Sequence, residues 1–300
     1  MVIRFDGQVA VVTGAGGGLG RVYALELARR GAKVVVNDLG GDLHGTSAST
    51  NMADKVVSEI KAAGRTAVAN YDSVEFGDKI IKTAIDSFGR VDILINNAGI
   101  LRDKSFVKMT DADWNMVLKV HLQGAYSCTK AAWPHMRRQK YGRLVFTSSN
   151  SAVFGSFGQT NYSSAKYALV GLAKSLALEG KKLGIHSNAV IPTAGSRMTA
   201  TVMPKDMLEM FNPKHVVPMV TYLASKECKE SGRLFEAGAG YFGEVKTAIT
   251  KGIIMNKATA DDIAANMGRI SDPSGAFDFK GSEEVTETLL DSLAKRKAHL

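Results

Sequence analysis

Two periodicities alternate along residues 8–240. Short, nearly unbroken apolar runs recur at Gln8–Thr13 (QVAVVT), Lys33–Asn37 (KVVVN), Thr66–Asn70, Val91–Ile95 (VDILI), Arg143–Thr147 (RLVFT), Ile185–Ile191 and, shortest, Arg233–Glu236. Such β-branched runs predict strands buried on both faces. Between them apolar residues fall at helical spacing. Leu19–Arg30 is the first such segment, followed by Ala53–Ala63 (closed by Gly64) and Phe76–Phe88 (closed by Gly89). A fourth starts at Asp111 and covers Trp114, Val117, Leu118 and Leu122, with a further helical stretch to about Arg138, and another runs over Asn161–Glu179. Strands alternating with helices predict right-handed crossovers and a doubly wound α/β fold, a parallel sheet covered on both faces. Ligands of such sheets sit at the carboxyl ends of the strands.

Beyond about Gly240 the pattern loosens. Residues 241–300 predict two short helices, Thr259–Met267 and Glu283–Lys295, around the polar loop DPSG (272–275). The expected organisation is therefore a core at 1–240 and a C-terminal extension at 241–300. That extension packs on the core, forms a dimer arm, or links to a further domain.

Chemistry enters at the end of the first strand. TGAGGGLG (13–20) sits between strand and helix, with Gly14, Gly18 and Gly20 in GxxxGxG spacing around Leu19. Glycines permit positive φ and leave room for a pyrophosphate. The helix N-terminus behind them offers free N–H groups and a partial positive charge. Asp38 closes the second strand, where a carboxylate accepts hydrogen bonds from ribose hydroxyls and repels a 2′-phosphate. The pattern predicts a Rossmann-type dinucleotide site with NAD favoured over NADP.

A second cluster follows the fifth strand. YSSAK (162–166) places Tyr162 and Lys166 on one helix face, and Ser149 ends the strand before it. A free tyrosine titrates near pH ~10, and a nearby ammonium lowers that value. Tyr162 is thus expected as an acid/base with a depressed pKa, and Ser149 as a hydrogen-bonding partner of the reacting oxygen.

The bulk numbers narrow the alternatives. The chain has 300 residues, a net charge of +9, two cysteines and six histidines. Cys128 and Cys228 lie far apart, which predicts neither a disulfide framework nor a zinc site. The histidines show no ligand-spaced pair, so no metal is expected. The positive charge is either an ordinary solvated surface or an attraction for polyanions such as coenzyme A. Nucleic acid is not expected, because the basic residues are scattered. The N-terminus lacks a secretory apolar region and no run has membrane-spanning length.

TGAGGGLG, Asp38, NNAG (96–99), Ser149 and YSSAK together resemble the short-chain dehydrogenase/reductase family over about residues 1–240. The resemblance implies Tyr162 as catalytic acid/base, and Lys166 as ligand of the nicotinamide ribose and tuner of the tyrosine. Ser149 would position substrate. It implies adenosine-side contacts from Asn97, Ala98 and Gly99 and from Asp72, Ser73 and Val74. Nicotinamide-side contacts would come from Ala194, Gly195, Ser196 and Arg197. Many members carry an asparagine where this chain has His121, so the proton-relay role of that position is left out of the assignment.

Longer strings, among them VVVNDLGGD (34–42), NNAGILRDKSF (96–106), QKYGRLVFTSSNS (139–151) and LFEAGAG (234–240), are similar to the (3R)-hydroxyacyl-CoA dehydrogenase units of type 2 peroxisomal multifunctional enzymes (D-bifunctional proteins). That similarity implies NAD-dependent oxidation of (3R)-3-hydroxyacyl-CoA to 3-oxoacyl-CoA in fatty-acid β-oxidation, and a homodimer supported by the extension. The ending Ala298-His299-Leu300 resembles a peroxisomal address read by an import receptor. It also carries the expectation of a standalone dehydrogenase, with a trimmed part of a larger enzyme as the alternative. The rival readings are a short-chain dehydrogenase of steroid or other secondary alcohols, and an NAD-binding scaffold without activity.

Overall fold

A computed structural model describes residues 2–41, 51–195, 209–279 and 281–297. Eight strands form one sheet: β1 (Val9–Thr13), β2 (Lys33–Asn37), β3 (Ala67–Asn70), β4 (Ile93–Asn96), β5 (Gly142–Thr147), β6 (Ile185–Pro192), β7 (Leu234–Gly238) and β8 (Tyr241–Val245). Their order is β3-β2-β1-β4-β5-β6-β7-β8. β1 to β7 pair in parallel; Val11 lies opposite Val35 on one side and Leu94 on the other. The order reverses at β1, so the carboxyl ends of β1 and β4 flank the switch point where doubly wound sheets bind ligands.

The helices of this sheet are α1 (Gly18–Arg29), α2 (Asn51–Ala62), α3 (Gly77–Phe88), α4 (Asp111–Leu118), α5 (Gly124–Gln139), α6 (Asn150–Phe154) and α7 (Thr160–Gly180). Strand alternation divides the core. Ala10, Val12, Val34 and Val36 belong to one cluster with Tyr23 and Leu27 of α1 and Val56 and Ile60 of α2. Each fully buried Val or Ile contributes about 1.5–3 kcal/mol relative to an exposed one. Ile80 and Ile81 of α3 and Cys128, Ala132 and Met136 of α5 are also buried.

Several elements depart from the sequence expectation. The helical region from Asp111 is broken by a π-turn at Lys119–Gln123, with His121 inside it. The short α6 follows Ser149, and a further helix covers Val217–Leu223. β8 returns beside β7 through Ala239 and Gly240, both at positive φ (50° and 80°). A two-residue connection with that geometry makes an antiparallel hairpin.

The chain divides into two compact units, Met1–Glu244 and Val245–Leu300. Within the second, β9 (Ala248–Ile249) pairs antiparallel with β10 (Phe277–Asp278). Its helices are Ala260–Ile270 and Ser282–Lys297. Thr259 starts the first of these with a capping box, its Oγ1 accepting the Asp262 N–H at 3.2 Å. Among the described residues no helix is long and apolar enough to cross a membrane.

Candidate functional site

A cavity of about 760 Å³ opens at the carboxyl ends of the parallel strands. Gly14, Gly18 and Leu19 line it from the β1–α1 turn, and Asp38 from the end of β2. Asp72, Ser73 and Val74 line it after β3; Asn97, Ala98 and Gly99 after β4. Ala194 and Gly195 complete it after β6. Ser196, Arg197 and Ala298-His299-Leu300 lie outside the described residues.

The glycines divide by role. Gly14 has φ +62°, and a Cβ there would lie 2.7 Å from the Ala98 Cα. Gly18 has φ +50° but faces open space, so it forms the bare floor of the cradle. Gly20 does not line the cavity; a Cβ on it would lie 2.2 Å from the Gly14 carbonyl. It therefore lets α1 close on the turn. A helix N-terminus behind a floor without side chains fits the pyrophosphate of a dinucleotide.

Polar residues at the strand ends hold these loops. Thr13 Oγ1 accepts the N–H groups of Asn97 (3.0 Å) and Ala98 (3.1 Å). Asn97 Nδ2 returns a bond to the Thr13 carbonyl at 3.0 Å, so the glycine turn and the NNAG turn form one cradle. Asn37 Nδ2 donates to Asn70 Oδ1 at 2.8 Å, and Asn70 Nδ2 to Asp72 Oδ2 at 2.8 Å. The Asp38 carboxylate accepts the N–H of Gly16 and of Gly40, each at 2.7 Å. Sequence reasoning missed Thr13, Asn37 and Asn70. The signal was available: each is the polar residue that closes an apolar run.

Ser149, Tyr162 and Lys166 converge beyond the end of β5. Ser149 caps α6, its Oγ accepting the Ser151 N–H at 3.2 Å. Asn161, fully buried, accepts the Tyr162 N–H on its Oδ1 at 2.7 Å and donates to the Arg102 carbonyl at 3.1 Å. It thus fixes the first turn of α7, and sequence reasoning gave no sign of it. Tyr162 packs with Ile100, and Ile100 lines the cavity. Lys166 is buried and its Nζ donates to the Thr147 carbonyl at 2.6 Å. That ammonium stands 5.6 Å from the centroid of the Tyr162 ring.

The electrostatics differ from the expectation. Burial pushes the Tyr162 phenol above its ordinary value, and hydrogen bonding with Ser149 pulls it partly back. Burial also pushes the Lys166 ammonium down to about 7. The depressed tyrosine expected from the adjacent lysine is not found, because desolvation disfavours the charged form of both groups.

His121 lies beneath the NNAG turn. A Cβ on Gly99 would fall 2.3 Å from its Cε1. Its Nε2 stands 3.0 Å from the Ile100 N–H and 2.8 Å from the Ile100 carbonyl, of which a neutral ring engages one. Its ring meets the Tyr162 ring edge-on at 5.3 Å. Burial depresses it to about 3, so it is neutral at physiological pH. Among the described residues no His, Cys, Asp or Glu cluster could hold a metal ion.

Comparison with known proteins agrees with this geometry. Residues 8–207 match the short chain dehydrogenase family model. The chain is 50% identical to peroxisomal multifunctional enzyme type 2 of Mus musculus, over 98% of this chain and 40% of that protein. It is 53% identical to peroxisomal multifunctional enzyme A of Dictyostelium discoideum, over 96% of this chain and 66% of that protein. Full-length peroxisomal multifunctional enzyme type 2 of Drosophila melanogaster superposes with a TM-score of 0.84 at 41% identity, over 98% of this chain and 50% of that one. The chain thus spans only part of the length of these relatives. A glycine cradle at the switch point, a Tyr–Lys pair on α7 and a family match over most of the parallel sheet lead to one conclusion: the chain belongs to the short-chain dehydrogenase family.

Proposed function

We propose that the chain oxidises (3R)-3-hydroxyacyl-CoA to 3-oxoacyl-CoA in peroxisomal fatty-acid β-oxidation, with NAD as the hydride acceptor. The observation that carries this reading is the Tyr162 ring, 5.6 Å from the Lys166 ammonium and packed against Ile100, which lines the glycine-floored cavity. When bound, the nicotinamide supplies the acceptor for the C3 hydride. Tyr162 takes the proton of the C3 hydroxyl as general base. Ser149 holds the same oxygen. Lys166, tied from α7 to the Thr147 carbonyl of β5, has further N–H donors for the nicotinamide ribose. Asp38 takes the adenosine ribose hydroxyls and rejects a 2′-phosphate, which favours NAD over NADP.

The acyl-CoA substrate and the peroxisomal setting rest on what the named relatives share with this chain. The net charge of +9 supports a polyanionic substrate. The same reading makes residues 1–240 the catalytic core and 241–300 an extension serving a homodimer. It assigns Ala298-His299-Leu300 to the import receptor.

The test is an assay of (3R)- and (3S)-3-hydroxyacyl-CoA and a steroid alcohol, each with NAD and NADP. NADH formation from the (3R) thioester alone supports the reading. Absence of NADH from that thioester, or faster turnover of the steroid, contradicts it.

A further inference from the structure

Glu236 has no part in the site described above. It lies in β7, opposite Ile191 of β6, and is partly buried. Its Oε1 accepts two hydrogen bonds from two different strand-end loops. Asn150 Nδ2 donates to it at 2.8 Å, and Thr193 Oγ1 donates to it at 2.8 Å. Asn150 is the first residue of α6, directly after Ser149. Thr193 directly precedes Ala194 and Gly195, which line the cavity.

The surroundings leave this arrangement little freedom. The Thr193 N–H donates to the Ala237 carbonyl at 2.8 Å. A Cβ on Gly238 would lie 1.9 Å from the Thr193 carbonyl, so β7 and this loop are in backbone contact. Asn150 Oδ1 is buried without a protein partner, which leaves its amide held from the Nδ2 side. One carboxylate oxygen thus sets the separation between the loop that carries Ser149 and the loop that borders the cavity.

We propose that Glu236 is a positioning residue that couples the Ser149 side of the site to the Thr193–Gly195 side. This rests on the reading of Ser149 and the cavity given above. Side chains that place reacting groups act through geometry, and a displacement of about 1 Å can cost ~100-fold in rate. What Glu236 contributes is an acceptor shared by two donors, so a neutral amide can replace it.

Four variants test this: Glu236→Gln, Glu236→Leu, Asn150→Ala and Thr193→Val. Each is measured for turnover of the (3R) thioester and, separately, for NADH affinity by fluorescence titration. Glu236→Gln keeps an acceptor and should retain kcat/KM within about threefold. Glu236→Leu should lower kcat about tenfold or more and weaken NADH binding about threefold or more. Asn150→Ala should reproduce the kcat loss with NADH affinity unchanged. Thr193→Val, which removes only the hydroxyl, should reproduce the weaker NADH binding. Adding Asn150→Ala to Glu236→Leu should cost no further kcat.

A purely structural role would lower melting temperature without this split, and that result overturns the proposal. So do equal losses in Glu236→Gln and Glu236→Leu, or wild-type values in both single-donor variants. If Glu236→Leu does not fold, the two donor variants decide the matter. If the wild-type protein turns over no acyl-CoA, the NADH titrations of Thr193→Val and Glu236→Leu, with Glu236→Gln as the conservative rescue, still test the Glu236–Thr193 contact independently of substrate.

Discussion

Lys166 donates from Nζ to the carbonyl of Thr147 at 2.6 Å, tying α7 to the end of β5 from inside the protein. That bond orients the ammonium but does not offset its burial, which brings the group from 10.5 to about 7. Between those two values the unfolded chain holds a proton that the folded chain has lost. Stability therefore rises with pH across that window, and below about pH 7 the full penalty is present. The penalty is on the order of a few kcal/mol. Urea denaturation of wild type should show increasing stability from about pH 7 to 9, above which the buried Cys128 and Cys228 thiols, both pushed up to about 12, act the other way; Lys166→Met should flatten the rise. An unchanged slope in the variant would mean that another group titrates.

Tyr162 is displaced the opposite way, upward, by burial. A general base must be ionised to accept a proton. While the phenol remains mostly protonated, oxidation should accelerate about tenfold per pH unit on the alkaline side of neutrality. Ser149→Ala removes the interaction that lowers the phenol, so it should move this profile to higher pH as well as lowering kcat. A profile that stays in place would separate Ser149 from the ionisation of Tyr162.

The two positive-φ glycines of the cradle should respond differently to alanine. At Gly14 a Cβ would meet backbone of the NNAG turn at 2.7 Å, so Gly14→Ala should cost both stability and cofactor binding. At Gly18 nothing lies within 4 Å. Gly18→Ala should cost about 1–2 kcal/mol of backbone strain and chiefly weaken dinucleotide binding. Thermal melts with and without NADH distinguish the two. Equal loss of stability in both variants would contradict the cradle geometry.

Asp38 serves structure and selectivity together, since its carboxylate takes the N–H groups of Gly16 and Gly40. Asp38→Asn leaves one acceptor oxygen for two donors. It should loosen the turn and shift the ratio of kcat/KM for NADP over NAD upward by about tenfold or more. Parallel kinetics with the two cofactors measure this. A ratio that does not move would remove Asp38 from cofactor choice.

Much of this was legible in the sequence because burial on both faces leaves unbroken apolar runs. Val34–Val36 and Ile93–Ile95 announce central strands, and GAGGGLG between strand and helix announces a cradle. β8 escaped detection because Tyr241, Phe242 and Glu244 form a mixed pattern whose hairpin depends on the positive φ of Ala239. The π-turn at His121 leaves no trace in residue spacing. The depressed pKa expected of Tyr162 is reversed for a physical reason. Spacing reports which side chains share a face, but desolvation depends on what the rest of the fold lays over them. Glu236 ends a short apolar run in the sequence, and only the folded chain brings the distant Asn150 and Thr193 to it.

The central claim is that Tyr162 moves the proton in a hydride transfer, and turnover of Tyr162→Phe tests it most directly. The ring, its packing against Ile100 and its edge contact with His121 survive the change; only the hydroxyl is lost. NADH affinity should stay within about threefold while oxidation of the (3R)-3-hydroxyacyl-CoA falls about 100- to 10,000-fold. Turnover at the wild-type rate with NADH still bound would contradict the account.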